Sequence, residues 1–120
     1  MKTWAVVGLG NNPERPAFGV AKLLQDKGHR IIPVYPRAET VHGEVGYKTL
    51  SEIPGSIDVV DCFVNSTLVG KVVDEAIAIG AKAVWLQLDV IDNDAIARAQ
   101  AAGLITVMDR CPAIEYRKKS

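Results

Sequence analysis

Five short runs rich in Val, Ile, Leu and Trp recur along the chain, and each is nearly continuous rather than alternating between apolar and polar residues. They cover residues 4–7, 31–34, 59–64, 83–86 and 105–108. Strands that are buried on both faces have this character, because helices cover both sides of a parallel sheet. The sequence therefore predicts a five-stranded parallel sheet.

Helical patterns separate most of these runs. Three segments place apolar residues on one helical face and end at a glycine, a common helix stop. They are residues 17–24 before Gly28, 69–76 before Gly80, and 96–102 before Gly103. Residues 37–56 are richer in Gly, Glu, Thr and Pro and predict an irregular crossover with one short helical turn near 50–53.

The resulting order is β-α-β-loop-β-α-β-α-β, with right-handed crossovers. We expect one α/β domain over residues 1–120, with a Rossmann-like, doubly wound parallel sheet and helices on both faces. The expected strand order is 3-2-1-4-5. The ligand crevice would then lie outside the carboxyl ends of strands 1 and 4.

Composition narrows the class of partner. The 120 residues carry 14 basic and 14 acidic side chains, so no net charge would attract nucleic acid or an anionic membrane. No signal peptide or membrane-spanning run is visible. The two cysteines, Cys62 and Cys111, lack metal-ligand or disulfide-framework spacing, so we expect reduced thiols in a cytoplasmic protein.

Residues 8–16, Gly-Leu-Gly-Asn-Asn-Pro-Glu-Arg-Pro, join the first strand to the first helix. Backbone N–H groups and a helix N-terminus at such a turn can hold a pyrophosphate. Pro13 stands where the dinucleotide fingerprint has its third glycine, so a purely structural turn is the alternative.

Arg37 follows the second strand in the sequence Val-Tyr-Pro-Arg, where an NAD-binding fold usually carries an acidic residue. A cation there suits a phosphorylated ribose. This favours coenzyme A (CoA) or NADP over NAD, unless Arg37 is an ordinary surface arginine.

No complete catalytic constellation is visible. His29 and His42 are expected at the surface, and Ser66-Thr67 is expected to cap a helix rather than to act as a nucleophile. Asp61, within an apolar strand, is expected to meet a backbone donor or a basic partner. Cys111 is interpreted as a buried anchor, with a reactive thiol as the alternative.

Two segments carry a resemblance to a known family. They are residues 81–88, Ala-Lys-Ala-Val-Trp-Leu-Gln-Leu, and residues 108–116, Met-Asp-Arg-Cys-Pro-Ala-Ile-Glu-Tyr. Within them, Trp-Leu-Gln-Leu (85–88) and Asp-Arg-Cys-Pro (109–112) are specific to the family. The chain resembles, nearly end to end, the small stand-alone CoA-binding proteins, whose fold is similar to the N-terminal domain of the succinyl-CoA synthetase alpha subunit.

The resemblance implies three groups of contacts. The pyrophosphate would be held by Gly8, Leu9, Gly10, Asn11, Asn12 and Arg15; the ribose 3′-phosphate by Pro36 and Arg37; and the adenine and pantetheine side by Val64, Asn65, Gln87 and Leu88. The chain also departs from the family, which usually carries Ala-Ser at Leu9-Gly10, often Ser at Ala17, and often arginines at Val64-Asn65.

These observations predict a non-catalytic protein that binds CoA or an acyl-CoA as its small-molecule nucleotide ligand. The alternatives are an NADP-dependent oxidoreductase, a component of an acyl-CoA ligase, or an interaction protein that has lost its ligand. A homodimer is also considered, because the outer strand of an open sheet needs to be covered.

Overall fold

The computed structural model describes residues 2–112, 114 and 115. Within this part of the chain, five strands and three α-helices alternate, with one turn of 3-10 helix at Leu50–Glu52 in the crossover. The elements in chain order are β1 Thr3–Val7, α1 Pro16–Asp26, β2 Arg30–Val34, β3 Val59–Cys62, α2 Ser66–Ala78, β4 Ala83–Leu86, α3 Asn93–Ala101 and β5 Ile105–Val107.

All five strands are parallel, and their order across the sheet is β2-β1-β3-β4-β5. The α/β fold is confirmed, but the predicted order 3-2-1-4-5 is wrong, because β3 pairs with β1 rather than with β2. The chain leaves β1 in one direction to form β2 and then crosses back to form β3. The switch point, where a ligand crevice is expected, therefore lies between β1 and β3.

Pro33 explains why β2 is an edge strand. Proline has no backbone N–H, so a strand that contains it is suited to an edge, where no further strand requires that donor. On its outer side β2 meets Tyr47 of the crossover, whose N–H donates to the Pro33 carbonyl (3.0 Å) and whose carbonyl accepts from the Tyr35 N–H (2.9 Å). The crossover thus covers this edge with a bridge instead of a strand.

The helices cover both faces of the sheet, as predicted. The buried face of α1, formed by Ala17, Val20, Ala21 and Leu24, packs on one side. The buried faces of α2 and α3 pack on the other, together with Leu50 of the crossover. All three predicted glycine stops have positive φ angles, which glycine adopts without strain.

Asp61 differs from expectation. It lies in the middle of β3, fully buried, and both carboxylate oxygens lack a hydrogen-bond partner among the described residues. Burial away from water raises the pKa of Asp61 well above its ordinary value of 3.8. The predicted donor or basic partner is wrong, because neither carboxylate oxygen has a partner among the described residues.

A membrane-spanning helix needs about 20 predominantly apolar residues, and the described helices are shorter. None of them is long and apolar enough to cross a bilayer.

Candidate ligand-binding site

Two connected hollows open at the carboxyl ends of the strands. The first, called here the polar recess, has a volume of about 390 Å³. The second, the apolar groove, has a volume of about 810 Å³. Gly8, Arg15 and Tyr35 line both, so the two hollows meet at the turn after β1.

The predicted site residues converge here, and all but Leu9 line one or both hollows. The recess is formed by Gly8, Gly10, Asn11, Asn12, Arg15, Tyr35, Arg37 and Glu39. The predicted residues of the groove are Gly8, Arg15, Pro36, Val64, Asn65, Gln87 and Leu88. The side chain of Leu9 instead lies in the core beneath α1, fully buried.

Gly8 is required by the fold itself. Its φ angle is +98°, and a Cβ at this position would collide with the backbone carbonyl of Phe63. Its N–H donates to the Val34 carbonyl (2.8 Å), which ties the turn to the end of β2. Gly8 therefore brings the ends of three adjacent strands close together.

In the turn beyond Gly8, one backbone N–H group is already hydrogen-bonded to a carboxylate of the protein itself. The Asn11 N–H donates to Glu39 Oε1 (2.8 Å), and the Asn11 side-chain amide donates to the Thr40 carbonyl (2.8 Å). Among the described residues, none accepts a hydrogen bond from the backbone N–H of Gly10 or Asn12. The recess therefore has two backbone N–H donors that are available to a ligand, at Gly10 and Asn12. A third, at Asn11, is already hydrogen-bonded to Glu39.

Glu39 is a charged residue of the recess that the sequence analysis did not identify. The search for an acidic residue stopped at Arg37, but a tight turn returns the chain toward the recess: Ala38 has a φ angle of +50°, and its N–H donates to the Tyr35 carbonyl (2.8 Å). The backbone of Glu39 passes so close to Gly46 that a Cβ on Gly46 would clash with it. A small residue at position 46 and the αL conformation at position 38 together fix Glu39 at the recess.

Two arginines supply positive charge. Arg37 has a side chain that is 76% exposed, with its Nε 3.8 Å from Glu39 Oε2 and its guanidinium 5.8 Å from the centre of the Tyr35 ring. Arg15 is exposed and precedes Pro16, the first residue of α1. Exposed guanidinium groups of this kind can turn toward an anion at little cost in desolvation.

The groove is mainly apolar and extends from β1 across β3 to β4. Its apolar walls include Phe63, Val64, Leu68 and Leu88. Two charged residues, Lys48 and Lys71, also line it, and the sequence analysis did not identify them. Asn65 precedes α2 but makes no capping hydrogen bond with its side chain. Its amide is therefore available to a ligand in the groove.

Gln87 is the buried polar residue of this groove. Only 5% of its surface is exposed, and its Oε1 has no hydrogen-bond partner among the described residues. Its backbone is held by neighbouring elements, because its N–H donates to Cys62 and its carbonyl accepts from Val90. Gln87 thus lines the mainly apolar groove, with its side-chain oxygen buried and without a donor.

Ser66 does not cap α2 through its side chain, which corrects that expectation. Its hydroxyl donates to the Asp89 carbonyl (3.3 Å) and accepts from the Ile91 N–H (2.9 Å), so it joins α2 to the loop after β4. By contrast, the Asp92 side chain does cap α3, because it accepts from the Ala95 N–H (3.0 Å).

The histidines are partly buried and hydrogen-bonded rather than simply exposed. His29 Nδ1 pairs with the Lys2 N–H (3.2 Å), and His42 Nε2 pairs with the Phe18 carbonyl (2.8 Å). The thiols differ in setting. Cys62 is fully buried, which raises the pKa of its thiol, whereas Cys111 lies half-buried in the wall of the groove.

A parallel sheet, a glycine turn after its first strand and a hollow at its switch point together define an α/β domain of the nucleotide-binding type. Comparison with known families makes the class specific. Residues 2–117 match the CoA binding domain family, and the chain belongs to that family.

Relatives of the chain include an uncharacterized Bacillus subtilis protein, YneT, with 34% identity over 92% of this chain and 82% of that protein. The alpha subunit of an ADP-forming acetate-CoA ligase II from Pyrococcus furiosus is 35% identical over 67% of this chain, but that match covers 18% of the subunit. A solved structure of a hypothetical protein from Pyrococcus horikoshii is also similar, with a TM-score of 0.93 and 40% identity over 98% of this chain and 82% of that one.

Proposed function

We propose that the protein binds CoA or an acyl-CoA across the two connected hollows and presents it to another protein without itself catalysing a reaction. The observation that carries this proposal is the division of polarity at Gly8 and Arg15, where the polar recess meets the apolar groove. CoA has the same division, since a charged phosphorylated nucleotide is joined through a pyrophosphate to a long neutral arm.

The recess suits the nucleotide end. The N–H groups of Gly10 and Asn12 and the side chain of Arg15 lie where a pyrophosphate would pass from one hollow to the other. Charge-assisted hydrogen bonds from arginine and backbone donors are the usual way in which proteins hold such groups. Arg37 lies on the β2 side of the recess, and we assign it to the ribose 3′-phosphate.

The groove suits the arm. Its volume of about 810 Å³ lies within the range of pockets that enclose small molecules, and its walls are mostly aliphatic or aromatic. Lys48 and Lys71 lie at this hollow. The half-exposed side chains of Leu68 (51%) and Leu88 (47%) would gain burial when the arm occupies the groove.

A binding function is favoured over catalysis by the setting of the reactive groups. Cys111, Lys48 and Lys71 are the nucleophile types that line the groove, and in the described part of the chain no hydrogen bond or ion pair joins their side chains to a base that could activate them. The fold of this family also occurs as a segment of a ligase subunit, as in the acetate-CoA ligase. We therefore infer that any chemistry on the thioester belongs to a partner.

The test is calorimetric titration of the full chain with CoA, acetyl-CoA, NADP and NAD. NAD is included because the carboxylate of Glu39 is the feature that would suit an unphosphorylated ribose. We expect saturable binding of CoA and acetyl-CoA that is much tighter than that of either nicotinamide dinucleotide. A ligand that binds only the native state, at about 100 times its Kd, stabilises it by roughly 2.7 kcal/mol, so melting curves provide a second readout.

Arg15→Ala and Arg30→Ala form a matched pair for this titration. Both side chains are exposed, but Arg15 lines both hollows whereas Arg30 begins β2 at the opposite end of the sheet. Arg15→Ala should weaken CoA binding and Arg30→Ala should not. Preference for NADP or NAD over CoA, or an equal effect of the two substitutions, would contradict the proposal.

A further inference from the structure

The two edges of the sheet differ in how they are covered. At the β2 edge, Tyr47 of the crossover bonds to the outer side of the strand. At the other edge, β5 pairs with β4 on one side and meets no strand on its outer side within the described part of the chain. An open edge presents backbone N–H and C=O groups that another strand can bind.

The hydrogen bonds of β5 show which of its backbone groups face outward. The Ile105 N–H donates to the Lys82 carbonyl (3.0 Å), so the backbone of Ile105 faces β4. Because successive residues of a strand direct their backbone groups to opposite sides, the N–H and C=O of Thr106 face outward. The Met108 N–H, two residues further on, has no backbone acceptor among the described residues.

The side chains of this edge do not discourage strand addition. Charged residues and proline are the usual protection of an open edge, and residues 104–108, Leu-Ile-Thr-Val-Met, contain neither. The Ile105 side chain is 66% exposed, and Val107, on the same face of the strand, is half-buried. β5 itself has 3 residues, so apolar side-chain contacts would have to add to the hydrogen bonds of a pairing strand.

The helix beside this edge also permits close approach. Gln100 Nε2 of α3 donates to Thr106 Oγ1 (3.0 Å), so this side of the helix lies next to β5. Ala97, three residues earlier, lies on the same side of the helix. Both residues are exposed and uncharged, whereas Arg98 pairs with Asp74 of α2. Two such helices could therefore approach each other without bringing like charges together.

We propose that β5 pairs antiparallel with β5 of a second copy of this chain, with Thr106 at the two-fold axis. A two-fold interface uses the same surface of both copies, and antiparallel pairing of one strand with its own copy meets this condition. The N–H and C=O of Thr106 then exchange hydrogen bonds with those of Thr106 of the second copy. The Met108 N–H faces the Leu104 carbonyl of the second copy in the same register.

This register also covers the exposed apolar side chains. Ile105 lies opposite Val107 of the second copy, and the symmetry repeats the contact, so two apolar cross-strand pairs form on one face of the joint sheet. The ligand hollows stay separate from the interface. They lie at the carboxyl ends of the strands, and antiparallel pairing turns those of the two copies to opposite ends of the joint sheet. The inference therefore does not depend on which ligand the protein binds.

The experiment is sedimentation equilibrium of the full chain over a concentration series, with Ile105→Lys as the test variant. Val45→Lys is the matched control, because Val45 is 65% exposed and lies on the crossover rather than at β5. We expect the parent to dimerise, Ile105→Lys to raise the dimer Kd at least about 10-fold, and Val45→Lys to leave it within about twofold. A parent that is monomeric up to about 1 mM, or equal effects of the two substitutions, would overturn the proposal.

A mixing experiment tests the register. Val107→Glu should also weaken the dimer, because position 107 faces position 105 of the second copy. A mixture of the Ile105→Lys chain and the Val107→Glu chain should associate more tightly than either chain with itself, because one cross-strand pair is then oppositely charged and the other remains Ile–Val. Absence of this rescue would refute the register.

Thr106→Pro covers the case in which Val107→Glu does not fold. Proline removes the outward N–H of Thr106 and leaves the hydrogen bonds to β4 in place, so the monomer should remain folded and the dimer should be lost. A Thr106→Pro protein that still dimerises like the parent would show that the interface lies elsewhere.

Discussion

The backbone N–H of Asn11 and the carboxylate of Glu39 form a hydrogen bond of 2.8 Å across the mouth of the polar recess. A carboxylate oxygen thus lies where a phosphate oxygen of a ligand would be attracted, and its charge opposes the arrival of that ligand. The same residue is 3.8 Å from Arg37, which it partly neutralises. The ligand must therefore either displace Glu39 or use the remaining donors.

Glu39→Gln should strengthen CoA binding by about two- to tenfold, because the substitution removes a negative charge beside the phosphates while retaining an acceptor for Asn11. Calorimetric titration provides the measurement. Glu44→Gln, on the same crossover, is the control, because it removes the same charge from a residue outside the recess. Weaker binding in Glu39→Gln would show that Glu39 contacts the ligand favourably, for example through a ribose hydroxyl.

Arg37→Ala should weaken CoA but hardly affect dephospho-CoA, which lacks the 3′-phosphate. A charge-assisted contact predicts a factor of about 10 to 100, and the 76% exposure of the side chain places the expected effect near the lower limit. Titration of both ligands against both proteins forms a double-difference cycle. A coupling free energy of zero would show that Arg37 does not contact the 3′-phosphate. A coupling that differs from zero should decrease as the salt concentration increases.

Substitutions of the two glycines of the turn should separate fold from function. Gly8→Ala places a Cβ against the Phe63 carbonyl at a φ angle of +98°, and we expect it to destabilise the fold by about 2 kcal/mol or more, visible as a lower melting temperature. A side chain at Gly8 therefore affects folding before it can affect ligand binding.

Gly10 has no positive φ angle, and a Cβ there would lie 3.1 Å from Glu39 Oε1 and 3.4 Å from the Tyr35 ring. Gly10→Ala should therefore fold cooperatively with a melting temperature close to that of the parent, and should weaken CoA binding. An unfolded Gly10→Ala protein, or one that binds CoA unchanged, would contradict this prediction.

Asp61 should make stability depend on pH. Its pKa is raised in the folded state by burial, so between its ordinary value of 3.8 and the higher folded value the native state binds more protons than the unfolded state. The free energy of unfolding should then decrease as pH rises through that window, by up to about 1.4 kcal/mol per pH unit. Asp61→Leu, of similar shape, should abolish this contribution in urea denaturation measured at a series of pH values. An unchanged pH dependence would mean that Asp61 does not titrate in this way.

The strands and helix faces could be predicted from sequence because burial imposes a local period on the residues. Leu24 and Val73, for example, lie on the predicted faces of their helices and are fully buried. The strand order could not be predicted in the same way, since it depends on which side of β1 the crossover returns to. Pro33 was the available signal, because it makes β2 an edge strand, and the sequence analysis did not use it.

The candidate site was predictable to the same extent. The glycine turn, Arg37 and the segment that includes Gln87 follow strands, and parallel strands place their carboxyl ends together, so their convergence follows from the fold. Glu39 lies within an irregular segment, and its position depends on the αL conformation of Ala38 and the close approach of Gly46. Such tertiary contacts leave no periodic pattern in the sequence.

The bridge between Val34 and Tyr47 has a consequence for how such a protein can diverge. The crossover that contributes Tyr47 to the sheet edge also carries Arg37 and Glu39 at the recess. Ala38 and Gly46 are constrained by backbone geometry, whereas the side chains at positions 37 and 39 are not needed for strand pairing. Substitutions at these two positions can therefore change the ligand preference while the fold stays the same.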